Sequence, residues 1–299
     1  MSTANQNKKE QFVEDGFIII KDCIPDDLLQ ELRVLSEKYR KIARRSYGAQ
    51  TQRLQPLERY SETAEKQLLD ALISLPILQE IVASVLSQHH HISMDYLGMM
   101  FEPKYLPYCM PWHRDWRDNC QGIDMQAWYD VYRDLDFFNQ INCPLYQDQS
   151  LWVVRGSHNR MDTPEEQALF PTRPIMAPYN DIERKTNRLG DFLNFFRKKD
   201  YAQRESSCLA HCNMMPQAEK VVLQPGDALL YRNTIWHLGN YMPNEKRATF
   251  HTIVTTDRYK EWMYTEKTKL YEQQDKGPLT WQDPYAQETF ASHELSDQL

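Results

Sequence analysis

Apolar and polar positions recur along this chain in two rhythms. Up to about residue 86 the rhythm is helical. A short apolar run at Phe17–Ile20 reads as a strand, and after Pro25 the residues Leu28, Leu29, Leu32, Leu35 and Tyr39 return at the spacing of one helix face. Leu68, Leu69, Leu72 and Ile73 continue the pattern, and Pro76, suited to a first helical turn, opens a segment with Ile77, Leu78, Ile81, Val82, Val85 and Leu86. The N-terminal third is therefore expected to be mainly helical. Past the run His89, His90, His91 the texture changes to short strands broken by proline and glycine: 93–101, 137–143, 151–154, 221–223, 228–231 and 248–255. Spaced short strands predict a sandwich or barrel. Adjacent histidines on an extended chain point to opposite sides, so the run reads as a solvated turn and not as a metal site. Residues 162–212 are polar and partly helical without strand alternation, which marks an insertion and a candidate lid over a barrel mouth. The chain shows no internal repeat and no low-complexity tract.

Composition narrows the class. With 41% hydrophobic and 26% charged residues in 299, there is material for one core, and single barrels with helical additions reach this length. The expected organisation is a flexible N-terminus at 1–11, one domain over 12–260 and a C-terminal extension at 261–299. The opening MSTANQNKKEQ has no apolar core, and no later stretch approaches the length of a membrane span, so a soluble, cytoplasmic protein without membrane contact is expected. A net charge of -7 argues against a phosphate-backbone footprint and hence against nucleic acid as a partner. The six cysteines are scattered in a chain too large to need staples, which suits free thiols. Cys208, His211 and Cys212 resemble part of a zinc site but lack a fourth ligand at finger spacing.

The candidate chemistry lies in MPWHRDW. His113 and Asp115 stand two apart, so on extended backbone both project from one face while Arg114 points away. A third ligand must come from elsewhere, and His237 in TIWHLGN follows the turn Pro225, Gly226, Asp227 at the end of an apolar strand. Two imidazoles and one carboxylate on one side of an ion form the facial triad suited to Fe(II), which leaves positions open for substrates. Arg247 lies ten residues past His237 across a polar turn, and Thr249 follows on the same face. A guanidinium fork with a hydroxyl suits a carboxylate, such as the distal one of 2-oxoglutarate. Pairing of Arg247 with an acidic neighbour such as Glu245 is the plainer alternative.

Four segments carry a resemblance to the phytanoyl-CoA dioxygenase (PhyH) family of Fe(II)- and 2-oxoglutarate-dependent oxygenases, over about residues 12–255. They are FVEDGFIII, the WHRDW motif, LWVVRGSHNR and PGDALLYRNTIWHLGNYMPNEKRATFH. The resemblance implies a double-stranded β-helix of the jelly-roll, cupin-like kind, mainly β with flanking helices. It further implies iron on His113, Asp115 and His237, and Arg247 holding 2-oxoglutarate. Phe138 falls where the family has an aromatic residue beside the cosubstrate, and Met99 on a strand that contributes a pocket contact. His158 in GSH resembles the family's structural histidine. The chain departs from the family at Arg155 and Gln149 in the third segment, and at Gly239, where some members carry a serine; its hydroxyl must then come from Thr249 or elsewhere. Trp112, Trp116, Trp128, Tyr129 and Tyr132 surround the H-x-D segment, and Trp116 is the candidate substrate wall. The expected activity is hydroxylation of a small organic metabolite by O₂, with release of succinate and CO₂. Related halogenases replace the carboxylate ligand with a small residue, so Asp115 disfavours halogenation. An iron oxygenase without 2-oxoglutarate, a metal-dependent isomerase and a non-catalytic ligand-binding relative remain as alternatives.

Overall fold

A computed structural model describes residues 3–118, 124–169, 201–263 and 265. Helix α1 (Thr3–Asp15) leads into β1 (Phe17–Ile20), and α2 (Asp26–Tyr47), α3 (Thr63–Ile73) and α4 (Pro76–Val85) follow, with β2 (Arg53–Leu54) between α2 and α3. Pro76 sits in the first turn of α4, where its missing N–H costs nothing. The segment expected to be flexible, residues 1–11, is instead helical from Thr3 onward. Its apolar side ends in Phe12, fully buried, and Val13 O at its last turn accepts hydrogen bonds from His158 and Asn159. Tertiary anchoring, and not the polar composition, decides that helix.

The strands form two antiparallel sheets. In the larger, the order is β1, β9 (Ala228–Arg232), β6 (Asn139–Pro144), β11 (Ala248–Thr255), β4 (Gly98–Phe101), β2, with β3 (His91–Ile92) beside β11. In the smaller, it is β5 (Tyr108–Cys109), β10 (His237–Tyr241), β7 (Leu151–Val154), β8 (Ala218–Lys220). The remaining described helices are α5 (Met125–Val131), α6 (Pro164–Leu169) and α7 (Tyr201–Met214). Two facing antiparallel sheets with helices on the outer side make a jelly-roll core with flanking helices, as expected.

The period of two along β11 assigns its faces. Ala248, Phe250 and Val254 point outward into the main core, with Leu32, Leu72, Val82 and Ile141 from the helices and β6. Arg247, Thr249, His251 and Ile253 point inward, toward the smaller sheet. Burying Phe250 and its neighbours supplies roughly 1.5–3 kcal/mol each, so the inward polar positions are tolerated only because their groups find partners. Among the described residues no single helix is long and apolar enough to cross a membrane; α3 and α4 pass that test only as a pair bent by 45°, and their apolar sides lie in the core.

Two strand boundaries moved. The 221–223 strand is replaced by β8 at Ala218–Lys220, although Val221 still donates to Leu151 O and Leu223 still bridges Asp148. The 93–101 strand shrinks to β4 with β3 ahead of it. The histidine run is no solvated turn throughout: His90 is buried with Nδ1 against Ser87 Oγ at 2.8 Å, and His91 enters β3. Of the proposed insertion at 162–212, residues 170–200 lie outside the described residues. The buried face of α7, with Cys208, His211 and Cys212, packs on Cys109, Trp112 and Trp236. Most of the proposed C-terminal extension also lies outside; residues 257–263 are helical.

Candidate metal centre

His113 and His237 meet through their backbones. Each donates its N–H to the other's carbonyl, at 3.1 and 3.0 Å, which bridges the segment after β5 to the start of β10. Cross-strand neighbours project to the same side, and the two imidazole centroids stand 4.2 Å apart. Asp115, two residues from His113, turns its Oδ1 to both rings, 3.3 Å from His113 Nε2 and 3.9 Å from His237 Nε2. The three ligand atoms lie within 4.8 Å of one another, and this is the only such group among the described residues. Cys208, His211 and Cys212 do not form one.

Surrounding groups set the protonation of this trio. His113 Nδ1 lies 2.8 Å from Pro111 O and His237 Nδ1 2.9 Å from Ile235 O. A carbonyl accepts only, so each Nδ1 carries a proton and each Nε2 faces Asp115 Oδ1. Burial opposes charge on His113, but its hydrogen bond to Asp115 raises its pKa, so the proton on His113 Nε2 is one that a bound metal ion would displace. Burial, reinforced by the neighbouring His113, pushes the His237 pKa down to about 4 and keeps it neutral. Burial would raise the Asp115 pKa, but the hydrogen bond from His113 and the neighbouring His237 hold it below the usual value. The other Asp115 oxygen accepts a short hydrogen bond from Gln140 Nε2, and Gln140 Oε1 accepts from Tyr231 OH at 2.5 Å. With the proton on His113 Nε2 displaced, two imidazole nitrogens and one oriented carboxylate oxygen are the donor set that Fe(II) takes on one side. Arg114 does point away: its Nη1 donates to Ser157 O at 2.6 Å and Thr234 O at 2.8 Å, and its Nε to Asp162 at 3.1 Å.

The other expected site residues divide. Phe138, the residue before β6, meets Trp116, the neighbour of Asp115 in the chain, with ring centroids 4.8 Å apart and planes tilted by 33°. Trp116 holds a left-handed backbone, φ 68°, which costs a bulky residue of order 1–3 kcal/mol. Met99 is a correction. It pairs with Phe250 and points outward into the main core, while the adjacent Met100, opposite Thr249, takes the inward face. Thr249 is a second correction, since its hydroxyl donates to Asp148 Oδ2 at 2.5 Å and is committed there. Arg247 is buried with Nε on the same Asp148 oxygen at 2.7 Å, so its acidic partner is not the adjacent Glu245. Arg247 Nη1 is buried with no hydrogen-bond partner among the described residues. That orphaned donor is what an absent carboxylate would satisfy.

Sequence reading missed Asp148, Gln140, Asn142, Tyr231, Tyr241 and His251. A signal existed in part: Gln140 and Asn142, like Arg247, Thr249 and His251, are polar at alternate positions of strands otherwise apolar. His251 Nδ1 meets Asn142 Oδ1 at 2.9 Å, and burial, aided by Arg53, keeps the ring neutral.

No family model matches the chain, and no curated protein matches it by sequence. Solved structures do match in fold. The epimerase SnoN, in complex with Fe3+, alpha ketoglutarate and nogalamycin RO, superposes with a TM-score of 0.52 at 11% identity, over 86% of this chain and 85% of its own. AviO1 from Streptomyces viridochromogenes Tue57 gives 0.51 at 17%, over 85% and 95%. At such identities the likeness establishes the shared jelly-roll fold.

Proposed function

We propose that this chain is an Fe(II)- and 2-oxoglutarate-dependent dioxygenase, related to the phytanoyl-CoA dioxygenase family, that hydroxylates a small organic metabolite and releases succinate and CO₂. The observation that carries the reading is the buried trio His113, Asp115 and His237, with both Nε2 atoms and one carboxylate oxygen converging. The orphaned Arg247 Nη1 extends it to a carboxylate-bearing cosubstrate. SnoN, of the same fold, holds iron and alpha ketoglutarate.

Bound Fe(II) would supply the activation of O₂ that no side chain can perform. The protein's part is positional. His113 and His237 present Nε2 atoms whose rings are oriented by Pro111 O and Ile235 O, and Gln140, held by Tyr231, stops Asp115 from rotating. Arg247 anchors the distal carboxylate while Asp148 and Thr249 keep its guanidinium in place. Trp116 and Phe138 wall the side next to Asp115 and keep water from the substrate.

The test is succinate formation from 2-oxoglutarate by the Fe(II)-loaded chain under O₂, screened against fractionated metabolite pools. The reading expects Fe(II)-dependent succinate that rises with one class of pool. Absence of both succinate and 2-oxoglutarate binding would favour the cosubstrate-free oxygenase or isomerase.

A further inference from the structure

Helix α2 turns Leu29, Leu32, Leu35 and Tyr39 into the main core, yet Arg40 on the same helix is buried as well, at 5% exposure. A buried guanidinium is costly unless its charge and its N–H groups find partners. Arg40 Nη1 donates to Glu102 Oε1, which also accepts from Arg44 Nη2 at 2.8 Å. Arg40 Nη2 donates to Arg247 O at 2.9 Å, and Arg40 Nε lies 3.4 Å from Glu37. The second carboxylate oxygen, Glu102 Oε2, accepts the Arg247 N–H at 2.8 Å. One buried ion pair therefore holds both main-chain polar groups of Arg247. Such a pair adds little net stability, so its contribution lies in the geometry it imposes.

The register places this pair where it is needed. β11 pairs with β4 from His251 opposite Gly98 to Ala248 opposite Phe101, so Arg247 stands one residue outside that ladder and Glu102 one residue past the end of β4. There the side chains of Glu102 and Arg40 take over from the ladder. With the backbone of Arg247 fixed from α2 and its Nε fixed by Asp148, the guanidinium is held at both ends. The distance from its Nη1 to the metal trio then decides what length of diacid can bridge the two, and a misplacement of about 1 Å can cost a site about a hundredfold. We propose that Arg40 and Glu102 are positioning residues that fix the distance of Arg247 from the metal centre and so select a 2-oxo diacid of the length of 2-oxoglutarate. This deepens the function proposed above and rests on it.

The test is calorimetric titration of 2-oxoglutarate, and of 2-oxoadipate, longer by one C–C bond of about 1.5 Å, into the full chain loaded with Fe(II) under anaerobic conditions. Arg40→Met keeps an apolar stem, and Glu102 keeps its pairing with Arg44. Its affinity for 2-oxoglutarate should fall about 3- to 30-fold, the size of effect exerted by residues that do not touch the ligand. Its preference for 2-oxoglutarate over 2-oxoadipate should narrow, with Fe(II) affinity within about twofold of wild type. Arg40→Lys keeps the charge beside Glu102 but cannot fork to the Arg247 carbonyl as well, so both readings should move the same way; it carries the test if Arg40→Met does not fold. Leu32→Val trims a fully buried core residue of the same helix outside the clamp, and should lower the denaturation midpoint while leaving both readings unchanged. Arg40 variants within about twofold of wild type for both diacids, while Arg247→Ala is weakened, would overturn the positioning role alone. Leu32→Val that weakens 2-oxoglutarate as much as Arg40→Met would also overturn it, by reducing Arg40 to a contribution to stability. Wild-type protein that binds Fe(II) but neither diacid would overturn both this assignment and the function beneath it.

Discussion

At the residue scale, the metal trio depends on which nitrogen of each imidazole is protonated and on which carboxylate oxygen is free. Gln140 governs the second. Gln140→Leu removes the hydrogen bond to Asp115 Oδ2 and leaves the Tyr231 hydroxyl without its acceptor. Loss of a hydrogen bond that orients a ligating group costs about 10- to 100-fold in metal affinity, which a competitive chelator titration will read. Asp115→Gly should abolish turnover while opening a position that azide can fill; retained turnover would show that Asp115 is no ligand. The H-x-D pair and the later His and Arg were legible in the sequence because their geometry is local: two residues apart on extended backbone means one face. Asp148 was not legible, since it reaches Arg247 across 99 positions of chain and nothing in its neighbourhood announces the contact.

At the element scale, the misplacement of Met99 shows what a strand pattern leaves open. Gly98–Phe101 reads GMMF, apolar throughout, so alternation gives no phase and a one-residue error swaps the faces. Met99→Ala should therefore destabilise the fold by about 2–5 kcal/mol in chemical denaturation and leave 2-oxoglutarate affinity unchanged. Helix α1 escaped notice for a related reason: its surface is polar, and its support comes from the GSH segment. His158 Nε2 lies 3.1 Å from Val13 O, and Gly16 packs so close that a Cβ there would stand 2.4 Å from His158 Nδ1. Burial, with the charge of Arg232, lowers the His158 pKa from 6.5 to about 3. Below pH 6.5 the unfolded chain binds a proton that the folded chain refuses, so stability is full above that pH and declines as pH falls toward about 3. His158→Gln should flatten this acid limb in urea melts recorded across pH, and iron binding should persist, because His158 is not in the trio.

At the scale of the whole molecule, the larger sheet divides labour between its faces. Outward residues join the helices in the core, and inward ones hold the polar groups from Arg247 to His251 that run beside the metal centre. Helices α2 to α4 and the longer strands such as β6, β7, β9 and β11 were readable from periodicity, but the two-residue strands β2 and β5, strand order and the facing of the two sheets arise from contacts distant in sequence, which one chain's pattern does not encode. The arrangement makes Arg247 separable from the metal. Arg247→Ala should weaken 2-oxoglutarate by about 30-fold to several thousand-fold, as for roughly 2–5 kcal/mol, with iron affinity little changed. Arg247→Lys should recover only part, since an ammonium keeps the charge without the planar fork.

The central claim is that His113, Asp115 and His237 hold one Fe(II). Anaerobic Fe(II) titration of the wild type and of His113→Ala, Asp115→Ala, His237→Ala and His158→Ala tests it most directly, with circular dichroism confirming that each variant is folded. The account expects one tightly bound Fe(II) per chain in the wild type and in His158→Ala, and loss of that tight binding in the other three. Iron retained by His237→Ala and lost from His158→Ala would contradict it.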